Sequence, residues 1–188
     1  MPLSDVDIYA EPDPLDHDVL ANLGPLAPLV GTWEGAQGLD VAPCREGSKE
    51  TPYRERLVLD PLSPVVNGPQ ALYGLRYATT AWPLGEEEPF HEEVGYWLWC
   101  PASGLVMRDF IVPRGVTVAA GGYTQADART FTMTAEVGAD TFGIASNPFL
   151  NKAFRTVKYE VEITVHDDGS FSYAEDTVLA IRDRDEVF

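Results

Sequence analysis

Between Val157 and Val165, apolar and polar side chains alternate without a break: Val157, Tyr159, Val161, Ile163 and Val165 are interleaved with Lys158, Glu160, Glu162 and Thr164. A repeat of two is the side-chain period of an extended strand with one face in a core and the other in water. Asp167-Asp168-Gly169 then supplies a hairpin turn, and Phe171 to Ile181 runs back as a partner strand. A chain built on such pairs must cover one face of a sheet and hide its unpaired edges.

The rest of the sequence repeats this theme. Thr130, Thr132 and Thr134 alternate with Phe131, Met133 and Ala135; Ala71, Tyr73, Leu75, Tyr77 and Thr79 share one face of a run from Ala71 to Trp82. Further strands are predicted over 30–36, 53–60 and 90–99, with a hairpin of 105–112 and 115–120 around Pro113-Arg114. The Gly, Pro, Lys and Glu of 38–52 read as a loop, and 138–152 reads as the longest late connection. Leu20, Leu23, Leu26 and Leu29 recur every third residue, which predicts a short helical segment lying on the core as a lid, limited by Gly24, Pro25 and Pro28. About nine or ten strands with closely spaced turns predict an all-β antiparallel meander. Closure into a single barrel hides the edges most simply, with a β-sandwich as the competing architecture.

Gly31-Thr32-Trp33-Glu34-Gly35 opens the first strand. Glycines flanking a large aromatic allow close backbone approach in a curved sheet, so Trp33 either closes one barrel end or fills the core as an ordinary aromatic. At 188 residues one domain is the default, with residues 1–18 an acidic, flexible tail and 19–188 the barrel. A net charge of −17, with only 13 Lys and Arg, argues against nucleic acid and anionic membrane surfaces as partners. The chain has neither a long apolar run nor a basic, apolar leader, so a cytoplasmic location is expected. Cys44 and Cys100 match no metal-binding spacing and are read as reduced thiols, with a single disulfide as the minor alternative.

Of the three histidines, His17 lies in the acidic tail and His166 beside a turn. His91 opens a strand in which Glu93, Gly95, Trp97 and Trp99 share its face. Either that face is inward, placing a His and a Glu in a lumen with two indoles, or Phe90, Val94, Tyr96 and Leu98 point inward instead. Periodicity leaves both open. No Gly-x-Ser-x-Gly elbow, phosphate-cradling loop or zinc pattern is present, so local motifs favour binding over catalysis.

The segment Leu26 to Gly35, then Tyr77 to Trp82, then His91-Glu92-Glu93-Val94-Gly95-Tyr96-Trp97 resembles the nitrobindins, haem-binding barrels once described as fatty-acid-binding-protein-like. The resemblance runs in order over roughly residues 20–182. It implies a single antiparallel barrel of about ten strands with a lipocalin-like lumen and a short N-terminal helix. It also places His91 on the lumen, with Glu93, Trp97, Tyr77 and Thr79 as companion ligand-binding residues and Gly31, Thr32, Trp33 and Gly35 as the barrel motif. Two departures stand out. Ala36-Gln37 breaks the family's glycine spacing before Gly38, and no histidine follows His166 where the family's axial iron ligand lies near the end of the barrel. Tyr173 does not match that position, and arginine does not ligate iron.

The sequence therefore predicts a nitrobindin-like barrel that binds an apolar or aromatic small molecule in its lumen with axial haem ligation lost. No catalytic residue, metal or cofactor is expected. One alternative is a haem b protein that isomerises peroxynitrite through a non-standard ligand such as His91, and another is a non-catalytic interaction module. An exposed edge or apolar patch is compatible with a homodimer.

Overall fold

The computed structural model describes residues 7–188; the first six residues of the expected acidic tail lie outside the described residues. Residues 7–18 are mostly exposed, and they touch the barrel where Tyr73 donates a hydrogen bond to the Asp16 carbonyl at 2.9 Å. Asp18 caps the one-turn helix α1 (Val19–Asn22) by accepting from the Ala21 amide.

A 3₁₀ segment, Gly24–Leu29, follows α1. Its backbone can tighten because Gly24 sits at φ +54° with the Trp99 indole so close that a Cβ would lie 2.5 Å from it. Leu23, Leu26 and Leu29 are fully buried. They form the lid expected from the three-residue spacing, except that Leu20, on α1, is exposed to solvent.

The remainder is one curled sheet. Its strands are β1 (Gly31–Cys44), β2 (Gly47–Pro61), β3 (Val65–Asn67), β4 (Gln70–Pro83), β5 (His91–Cys100), β6 (Leu105–Val112) and β7 (Val116–Tyr123). After them come β8 (Thr130–Val137), β9 (Gly143–Ser146), the short helix α2 (Pro148–Ala153), β10 (Phe154–Val165) and β11 (Phe171–Ile181). The order across the sheet is β1-β2-β4-β5-β6-β7-β9-β8-β10-β11, with β3 paired to β4. Nearly all neighbours in sequence are neighbours in space, which is the meander expected from the turn signals.

The curl brings the two end strands together through side chains. Trp33 of β1 packs edge-on against Phe171 of β11 at 4.9 Å between ring centres, and Tyr53 of β2 meets Tyr173 of β11 hydroxyl to hydroxyl at 3.1 Å. Trp33 also donates its indole N–H to the Leu29 carbonyl at 2.8 Å. It thus ties the lid to the seam, while the three leucines supply the apolar plug.

Three expectations need correction. Residues 38–52 form the paired arms of β1 and β2, in register from Gly38↔Tyr53 to Cys44↔Gly47, instead of a loop. Their Gly, Pro and charged residues resemble a loop because both faces of this extension lie outside the core; cross-strand pairing overrides weak propensity. The Ala36-Gln37 insertion that breaks the glycine spacing is a bulge, since the register shifts between Gly35 and Gly38. Residues 138–152 contain β9, whose four residues are too few to show a period. It pairs antiparallel to β7 and parallel to β8, so the sheet is not wholly antiparallel.

Candidate functional site in the barrel lumen

β5 presents His91, Glu93, Trp97 and Trp99 to the interior; Glu93 and both indoles are buried, whereas Val94 and Tyr96 face outward. The two faces are decided by the neighbours. Tyr77 and Thr79 lie opposite Gly95 and Glu93 on β4, and Phe110 lies opposite Gly95 on β6. A Cβ on Gly95 would come within 2.0 Å of the Asp109 carbonyl, so β5 and β6 can approach there only with glycine.

At the centre lies Arg108 of β6, which is 6% exposed. One guanidinium nitrogen reaches Glu93 at 2.7 Å, and another reaches Glu175 of β11 at 2.6 Å and also donates to the Tyr159 hydroxyl. Tyr77 donates to Glu93 at 2.6 Å and Tyr159 to Glu175 at 2.9 Å. The rings of Tyr77, Trp97, Phe110 and Tyr159 surround the guanidinium at 4.9 to 5.8 Å. A second group links across the seam: Glu55 accepts from Thr79 at 2.6 Å and from Tyr173 at 2.8 Å.

Electrostatics fix the charge states. Burial works against ionised Glu93, but the Arg108 charge, together with the hydrogen bonds from His91 and Tyr77, lowers its pKa to about 2. Arg108 stays protonated, because the surrounding Tyr159, Tyr77, Glu93 and Glu175 outweigh the burial that opposes its charge. Burial holds Tyr77 and Tyr159 far above the ordinary phenol range, so both are neutral donors. Burial also disfavours imidazolium at His91, yet the hydrogen bond to Glu93 and the charges of Glu93 and Glu175 raise its pKa overall.

One consequence concerns metal chemistry. Glu93 is ionised and can only accept, so the His91 Nε2 atom 2.9 Å from its Oε1 carries a proton. That nitrogen has no lone pair for a metal while the contact stands. His166 bonds the Ser172 hydroxyl at a turn, His17 sits on an exposed segment, and the Tyr173 hydroxyl is engaged by Glu55 and Tyr53. Among the described residues no group of His, Cys, Asp and Glu converges to hold a metal, and both cysteines are free. While the His91–Glu93 contact stands, the lone pair that the neutral His91 ring could offer a metal is that of Nδ1.

Of the five residues expected on the lumen, Glu93, Trp97, Tyr77 and Thr79 are buried, and His91 is half-buried and bonds Glu93. Sequence reasoning missed Arg108, Glu175, Tyr159 and Glu55. Arg108 falls in phase with Val106, Phe110 and Val112, a charge on an otherwise apolar face, which was the available signal. Outside the barrel, Val94, Tyr96 and Ile111 remain exposed around a groove of about 470 Å³ that also includes Arg76 and Asp109. Burial alone raises the Asp109 pKa to about 6.

The fold agrees with the comparisons. The family described as "THAP4-like, heme-binding beta-barrel domain" matches residues 22–184, so the chain belongs to this haem-binding β-barrel family, in line with the nitrobindin resemblance. Among solved structures, Rv2717c from M. tuberculosis is similar, with a TM-score of 0.59 and 21% identity over 89% of each chain. That similarity bears on the fold. No curated protein matches the chain. No helix among the described residues is long and apolar enough to cross a membrane.

Proposed function

We propose that this barrel binds a neutral apolar or aromatic small molecule in its lumen, without an axial bond from the protein to haem iron. The observation that carries the proposal is the 2.9 Å contact between His91 Nε2 and ionised Glu93, which commits that ring nitrogen to a hydrogen bond. Charge supports neutrality of the ligand. Arg108 is already matched by Glu93 and Glu175, leaving no free cation at the centre to hold a carboxylate or propionate. The aromatic wall of Tyr77, Trp97, Phe110 and Tyr159 suits flat apolar surface.

Titration of the purified protein with haemin tests this reading. The expected result is weak, non-saturating absorbance change at one equivalent. A tight one-to-one complex with a sharp Soret band overturns it.

A further inference from the structure

The ionic cluster leaves two donors over. Trp97 Nε1–H and Arg108 Nε–H are both buried, and neither has an acceptor among the described residues. The two residues are direct cross-strand partners on β5 and β6, with side chains on the same inner face and the guanidinium 5.3 Å from the centre of the Trp97 indole. Buried N–H groups in folded proteins almost always find a partner, because a donor removed from water without one loses its hydrogen bond outright. The two donors lie on neighbouring side chains of one inner face.

We infer that Trp97 and Arg108 together bind a single neutral oxygen acceptor: a water molecule in the free barrel, replaced by the carbonyl oxygen of the lumen ligand. The identity of the acceptor follows from the surroundings. The other two guanidinium nitrogens already have acceptors: Nη2 bonds Glu93, and Nη1 bonds Glu175 and Tyr159. An anion at the same place would face two carboxylates within reach of the same guanidinium, whereas a carbonyl or water oxygen accepts two N–H bonds without adding charge. A water held by two donors also has the partners that an ordered internal water requires.

The ligand half of this inference rests on the binding reading above, and the experiment separates the two. In ¹⁵N-labelled full-length protein, the indole resonance of Trp97, assigned by its loss in Trp97→Phe, should show a cross-peak to bound water. Acetophenone should abolish that cross-peak and bind about tenfold more tightly than α-methylstyrene, which has the same shape with CH₂ in place of oxygen. Trp97→Phe, which keeps the Arg108 donor, should narrow that preference without abolishing it. Absence of the water cross-peak overturns the site, and equal binding of the two compounds to the native protein overturns its use by ligand. If the cross-peak is present and neither compound binds, the acceptor site stands and the lumen-binding reading fails.

Discussion

The two halves of the barrel interior are held by opposite chemistry. At the lid end, Leu23, Leu26 and Leu29 are fully buried among Trp33, Trp99 and Phe171, with one hydrogen bond from Trp33 to Leu29 fixing the entry. Beyond Trp97, the interior is organised around one arginine, two carboxylates and a set of phenols. Apolar burial is non-directional and tolerates repacking, so the lid end specifies little beyond closure. The ion-paired half is directional: each polar atom demands a partner, and the two buried donors without one among the described residues are Trp97 Nε1–H and Arg108 Nε–H.

The largest expected effect comes from breaking the ionic half. Arg108→Ala leaves buried Glu93 and half-buried Glu175 without their cation and should cost about 3–5 kcal/mol in urea unfolding at neutral pH. The loss should shrink on acidification, because Glu93 no longer has the charge that lowers its pKa and can protonate instead. An equal loss at all pH values would mean that Arg108 serves only as packing. Leu26→Ala should cost about 2–5 kcal/mol, the range for truncating a fully buried leucine. Its cost should be flat with pH, since no titrating group is removed; a pH-dependent loss would show that lid and ionic cluster are not independent.

This difference also explains what could be read in advance. The strand from Val157 to Val165 and the leucine lid announce themselves because apolar patterning survives in one dimension. Tyr159, Val161, Ile163 and Val165 are buried in alternation, but Val157 is not, because the register shifts between Thr156 and Lys158 and Thr156 is buried in its place. The ionic cluster is hidden by adjacent charges. Arg108 is followed by Asp109 and Glu175 by Asp176, so either member of each pair could have been the inward one. His91 and Glu93 posed the same ambiguity in two phases of one strand, settled only by what β4 and β6 place opposite them. The β1–β2 extension was missed for a third reason: beyond the core, pairing alone makes the strand, and pairing is not written in side-chain period.

The smallest effect is the one that most directly tests the charge assignment at the lumen mouth. Glu93 and Glu175 face His91 and favour its charged form, while Arg114 and burial oppose it, and the balance leaves its pKa above the ordinary 6.5. A group whose pKa is raised on folding stabilises the native state fully below its unfolded value, and that contribution disappears as pH rises through the folded one. Glu93 runs the other way: its share is present above 4.5 and lost as pH falls towards about 2. Both contributions therefore coexist between 4.5 and 6.5. His91→Gln retains an N–H donor for Glu93 but removes the titratable charge. It should cost about 0.5–1 kcal/mol at about pH 5.5, allowing for partial exposure of the ring, and become neutral at about pH 9. A cost that grows with pH would mean that the folded barrel favours neutral His91, overturning the charge assignment.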